Sequence, residues 1–210
     1  MIPYSIPYGR QSIDQADIDA VVEVLKSPWL TQGPTIERFE SAMAERCQAD
    51  FAVAVCNATA ALHIACLAAG LGPGDRLWTT PNTFVASANC GRYCGADVDF
   101  VDIDPHTWNL DAGLLAQKLE AAERVGKLPK VVVAVAFSGQ SCDMQAIAGL
   151  AERYAFTLIE DAAHAVGASY DGRPVGCGAY ATMTVFSFHP VKIITSGEGG
   201  MVLTDRKSVV

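Results

Sequence analysis

Several signals are missing from this 210-residue sequence, and each absence removes a class of answer. No window reaches membrane-spanning length without a charge or a punctuating residue, so no transmembrane helix is expected. The opening MIPYSIPYGRQS has neither a basic region nor an apolar stretch of signal-peptide length, which makes the cytoplasm the expected compartment. Basic residues are in the minority, 15 Lys and Arg against 23 Asp and Glu, and form no stripe; the resulting charge of -8 disfavours nucleic acid and anionic membrane as partners. The seven cysteines include no CxxC pair, so reduced core thiols are expected rather than a disulfide framework or a zinc site. His63, His106, His164 and His189 show no HExxH or other ligand spacing. GEGG at 197–200 matches neither GxGxxG nor GxxxxGK[ST]. Internal repeats, low-complexity tracts and Ser/Pro linkers are absent too, so one layered domain is expected to fill the chain.

What is present is a large apolar fraction, half of all residues, with only 18% charged, enough for a substantial core. Apolar spacing predicts helices over 13–26, from Pro34 to about Cys47, over the run that follows Asn57, and near 83–93, 111–124 and 143–154. Compact apolar runs predict strands at 51–56, 76–80, 98–103, 131–137, 156–160, 181–186 and 200–204. Seven strands with helices between most of them indicate an α/β fold, a mostly parallel seven-stranded sheet covered on both faces in three α/β/α layers. Turn residues at Asp171, Gly172 and Gly176 predict a loop or small hairpin within 164–177.

Three sites along this fold carry chemistry. Asn57-Ala58-Thr59 lies between a strand and a helix, where unpaired helix N–H groups and the Thr59 hydroxyl suit a phosphate; the plainer reading makes Asn57 or Thr59 only a helix cap. Glu160 and Asp161 end an apolar strand, and a carboxylate there can hold a protonated ring nitrogen. Ala163 is small enough to lie under a planar ring, and His164 can reach a ring oxygen; the plainer reading makes Asp161 a cap or metal ligand and His164 a core or surface histidine. Lys192, in SFHPVKIITSGEGG at 187–200, is the third: an amine between an apolar strand and a glycine-rich turn, with Ser187 offering a second phosphate contact. A surface lysine is the plain alternative. Taken together, a phosphate cradle, a ring-nitrogen partner and a buried amine for a Schiff base are the requirements of pyridoxal 5'-phosphate.

The chain resembles the DegT/DnrJ/StrS family of sugar aminotransferases. The likeness is carried by WLTQGP (29–34), CNATAALHIACLAAGLGPGD (56–75), PNTFVASANCGRYCGADVDFVDIDP (81–105), EDAAHAVGA (160–168) and SFHPVKIITSGEGG (187–200). The resemblance implies the large domain of the aspartate-aminotransferase type, pyridoxal-phosphate fold type I, over residues 1–204, without its small domain. It implies that Lys192 anchors the cofactor, Asp161 pairs with the ring nitrogen, and Ala58, Thr59 and Ser187 hold the phosphate. Phe84 would stack on one ring face, Ala163 pack on the other, and His164 approach the phenolic oxygen. Residues 31–34 would lie near the site mouth. Many relatives have Asn-Gly-Thr where this chain has Asn57-Ala58-Thr59, a change that keeps the same cradle if φ at Ala58 is negative.

As activity, the resemblance implies amination of a UDP-linked 4-keto-6-deoxy-N-acetylhexosamine, with glutamate as donor and a homodimer as the working assembly. Alternatives are another 4-keto nucleotide sugar, a noncatalytic cofactor-binding protein, or an inactive fragment. Relatives continue beyond GGMVLT with text unlike DRKSVV. Residues 205–210 can be spelled GATCGGAAGAGCGTCGTG, the text of a common sequencing adapter, so a truncated chain with a foreign tail is expected.

Overall fold

The computed structural model describes residues 9–206; the first eight residues of the N-terminal arm and residues 207–210 of the suspected tail lie outside it. Asp14 starts helix α1 (Gln15–Lys26) with a capping box, its carboxylate accepting from the Ala16 and Asp17 N–H groups while Asp17 takes the Asp14 N–H. Pro34 opens α2 (Pro34–Cys47), where its missing N–H costs nothing. Strand β1 (Phe51–Val55) feeds α3 (Ala58–Ala68), and β2 (Arg76–Thr79), α4 (Ala86–Tyr93) and β3 (Asp97–Phe100) follow. Asp111 and Asp143 cap α5 (Ala112–Glu123) and α6 (Met144–Tyr154), which flank β4 (Val131–Val135). The chain then adds β5 (Thr157–Asp161), the short β6 (Ser169–Tyr170) and β7 (Arg173–Pro174), β8 (Met183–Ser187) and β9 (Gly200–Thr204).

Seven strands form one sheet in the order β1-β9-β8-β5-β4-β2-β3. All neighbours pair parallel except β9, which runs antiparallel to both β8 and β1. The mostly parallel seven-stranded sheet is therefore the one the sequence predicts. Alternation along β4 divides the core. Val131, Val133 and Val135 pack with α3 and α4 on one face. Val132 and Ala134 pack with Leu115 and Leu119 of α5 and Ile147 of α6 on the other. A third cluster seats Met43 and Cys47 of α2 against Phe186, Met201 and Leu203. Buried on both faces, β4, β8 and β9 read as continuous apolar runs.

The expected hairpin within 164–177 is β6 and β7, joined through Asp171 and Gly172, both at positive φ as a two-residue hairpin turn requires. Two strands stop two or more residues earlier than their apolar runs suggest. β3 ends at Phe100 because Asp99 and Asp102 turn their carboxylates onto the next residue's N–H, leaving only an isolated bridge at Ile103. β4 ends at Val135 because residues 137–139 form a single 3-10 turn with Ser138 left-handed. The helix expected from residue 83 begins at Ala86, after the turn that follows Pro81. Among the described residues no helix is long and apolar enough to cross a membrane, and the seven cysteines are free thiols.

Candidate active site

Parallel strands present their C-terminal ends to one side of a sheet, and ligands collect there. At that edge β4, β5 and β8 deliver Val135, Asp161 and Ser187 to the wall of a cavity of about 400 Å³. The first turn of α3 closes another side with Ala58 and Thr59, and Phe84, Ala163, His164 and Lys192 complete the set. All eight candidate residues from the sequence thus line a single cavity. Residues 31–34 are not among those lining it.

Asn57 caps α3, its side chain accepting the Ala60 N–H at 2.8 Å. The capping role and the open first turn coexist, because one side-chain oxygen satisfies only one of the orphan donors. Ala58 sits in the helix without a positive φ, so the alanine in place of glycine carries no backbone strain. Ser187 accepts the His189 N–H at 3.4 Å, which leaves its hydroxyl hydrogen to donate. Phe84, 72% exposed, stands at the mouth.

Side-chain alternation along β5 separates its two carboxylates. Asp161 shares the α4 side of the sheet with Ile159, and its Oδ2 accepts a 2.6 Å hydrogen bond from the Ser87 hydroxyl while Oδ1 accepts the Ala163 N–H at 3.2 Å. No helix begins at Asp161, and among the described residues no cluster of three or more His, Cys, Asp or Glu is arranged to hold a metal ion. Burial raises the Asp161 pKa, opposed by the Ser87 and Ala163 bonds and the positive charges of Lys192 and His164.

Lys192 is placed by the loop between β8 and β9. Its N–H bonds the His189 carbonyl at 2.9 Å, and Thr195 and Ser196 tie the loop back to the Phe188 carbonyl. Lys192 Nζ lies 2.6 Å from His164 Nε2. Burial lowers the Lys192 pKa, with Asp161 opposing, and burial followed by the Lys192 charge lowers that of His164. One of the two must be the acceptor: a charged Lys192 donates to a His164 whose proton sits on Nδ1, and a neutral Lys192 accepts from a His164 that carries its proton on Nε2. Gly139, at φ +90, lets its loop press on His164: an added Cβ would lie 2.6 Å from the His164 carbonyl oxygen.

The sequence reading missed Ser87, Gly139 and Glu198, the last of which lines the cavity 3.8 Å from His189. Ser87 and Asp161 are 74 residues apart, and no local pattern announces their contact. The other carboxylate of β5, Glu160, points to the opposite face, where its Oε2 accepts from Thr184 at 3.4 Å and its Oε1 has no partner. Burial pushes Glu160 from its ordinary 4.5 up to about 7. The unfolded carboxyl releases its proton near 4.5 and the folded one near 7, so stability falls as pH rises between them and levels off above. Glu160→Gln removes that loss: urea unfolding at pH 8 is expected to show a gain of up to about 3 kcal/mol, shrinking toward zero at pH 5.

The DegT/DnrJ/EryC1/StrS aminotransferase family model matches residues 11–209. The chain belongs to this family. It is 44% identical over 208 residues to the spore coat polysaccharide biosynthesis protein SpsC of Bacillus subtilis strain 168, covering 99% of this chain and 50% of SpsC. PseC of Helicobacter pylori, described as an aminotransferase involved in pseudoaminic acid biosynthesis, matches with a TM-score of 0.88 at 31% identity, over 97% of this chain and 53% of PseC. Spr1654 of Streptococcus pneumoniae, solved in a PLP-form, matches with a TM-score of 0.88 at 30% identity, over 99% and 55% of the two chains. The chain spans about half the length of the curated relatives it matches. The DegT/DnrJ/EryC1/StrS assignment agrees with the three-layer α/β sheet described above.

Proposed function

We propose that this chain binds pyridoxal 5'-phosphate through Lys192 and serves a nucleotide-sugar aminotransferase. Glutamate would be the amino donor, and the acceptor the 4-keto group of a UDP-linked 6-deoxy-N-acetylhexosamine. That is the UDP-4-amino-4,6-dideoxy-N-acetyl-beta-L-altrosamine transaminase reaction of pseudaminic acid biosynthesis, and PseC is the similar structure that favours it. The observation that carries the reading is one cavity holding both an amine, Lys192, and a buried carboxylate, Asp161, for which no ion-pair partner exists among the described residues. A buried carboxylate without a cation calls for one, and a protonated ring nitrogen supplies it.

The cofactor, when bound, supplies an electrophilic carbon and an electron-withdrawing ring. The protein's residues do the rest. Asp161 would hold the proton on the ring nitrogen, and the first turn of α3, with Thr59 and Ser187, would hold the phosphate. Phe84 and Ala163 would pack against its ring, and His164 would offer its phenolic oxygen a hydrogen bond. Lys192 would be the amine that anchors the group and, when free, the one that moves a proton, a task suited to an amine whose pKa burial has lowered. Exposed apolar residues beside the mouth, Phe84, Val85, Val191 and Ile193, fit burial against a second subunit of a homodimer.

The 44% identity to SpsC favours a second reading, the same chemistry on a different 4-keto nucleotide sugar. Absorbance titration of the cofactor-loaded gene product separates them. Glutamate should deplete the visible cofactor band and one 4-keto sugar should restore it; restoration by a sugar other than the UDP-linked 6-deoxy-N-acetylhexosamine selects the second reading, and no response to glutamate overturns both.

A further inference from the structure

Asp161 is held from behind by a short relay. Ser87, in the first turn of α4 and fully buried, lies 2.6 Å from Asp161 Oδ2, and its oxygen is 2.7 Å from Thr83 Oγ1. A hydroxyl has one hydrogen to give. Against an ionised carboxylate, which only accepts, Ser87 must spend its hydrogen on Asp161, so Thr83 donates to Ser87. Were Asp161 protonated, the Asp161 to Ser87 bond and the Ser87 to Thr83 bond could both reverse. The direction of the relay is therefore tied to the charge of Asp161. Thr83 itself lines the cavity, so the relay runs from the cavity wall to the back of the carboxylate.

We propose that Ser87 is a positioning residue that fixes the Asp161 carboxylate in its ionised, cavity-facing form through the Thr83–Ser87–Asp161 relay. The inference rests on the proposed function for its consequence, the pairing of Asp161 with a ring nitrogen, but not for the relay. Burial opposes the charge on Asp161, and Ser87 is the largest of the contacts favouring it. Lys192 and His164 face Asp161 as positive or protonatable groups, and Glu160, next in the strand, adds a like charge only when ionised. A charge-assisted bond of this length is among the strong ones, and nothing else described donates a side-chain hydrogen to Asp161.

The test compares Ser87→Ala and Ser87→Thr with the parent, in cofactor-free protein labelled with 13C at the aspartate carboxyls. The Asp161 titration midpoint, assigned with Asp161→Asn, should rise by about one pH unit in Ser87→Ala and return to the parent value in Ser87→Thr, which keeps the hydroxyl. Cofactor affinity should fall about tenfold in Ser87→Ala and recover in Ser87→Thr. An Asp161 midpoint unchanged in Ser87→Ala overturns the relay, whatever the cofactor does. A shifted midpoint with unchanged cofactor affinity supports the relay and instead counts against the pairing of Asp161 with the cofactor. Circular dichroism of each variant identifies any that fails to fold; if Ser87→Ala does, Thr83→Val, which removes the hydrogen offered to Ser87, replaces it with the same expected direction and a smaller shift.

Discussion

Replacing Lys192 with alanine is expected to abolish the visible cofactor band and to reduce amino transfer by at least about a thousandfold, because one amine both anchors the cofactor and moves the proton. Lys192→Arg should fail almost as completely. Arginine keeps the positive charge near His164 and Asp161 but offers no nucleophilic amine, so the pair of variants separates covalent anchoring from simple charge. The fold should survive both changes, since Lys192 sits in the loop between β8 and β9 and no core cluster includes it. Spectroscopy on the loaded gene product, with a coupled transfer assay, checks this; near-parental turnover by Lys192→Ala would remove the lysine from the chemistry.

The second large effect is expected at Gly200, the first residue of β9. A Cβ there would lie 2.3 Å from the Asn57 carbonyl carbon and 2.5 Å from the Ala58 nitrogen, distances that backbone atoms cannot relax cheaply. Gly200→Ala must push β9 away from the first turn of α3, the turn proposed to hold the phosphate. A cost of about 3 kcal/mol or more is expected, at the upper end of ordinary overpacking because the obstacle is main chain. Denaturant unfolding should show it, and inorganic phosphate should compete less well for the site in the variant that still folds. Gly197→Ala, with open space around its position but φ +84, should be strained locally without displacing α3.

Much of this arrangement is legible in the sequence because its signals are local. The apolar runs of β4, β8 and β9 announce buried strands, and Asp14, Asn57, Asp111 and Asp143 stand where helices begin. The adjacency of Glu160 and Asp161 is visible too, and a strand must send them to opposite faces. Which face holds the cavity is a tertiary fact: composition and spacing leave the two carboxylates equal, the family resemblance favours Asp161, and the docking of α4 places Ser87 behind it. Ser87 is one serine in a helical run until the fold carries it to β5. The glycines at 197, 199 and 200 signal tight geometry, but the separate needs of Gly197, a positive φ, and Gly200, room beside Asn57, appear only in three dimensions. The early ends of β3 and β4 have the same character, since Asp99, Asp102 and Ser138 override runs that look like strand.

The most direct measurement is borohydride reduction of the pyridoxal-phosphate-loaded gene product followed by peptide mapping. The cofactor's mass, fixed by reduction, is expected on the peptide containing Lys192 and on no other lysine peptide. Cofactor fixed to another lysine, or none fixed after loading, would contradict it.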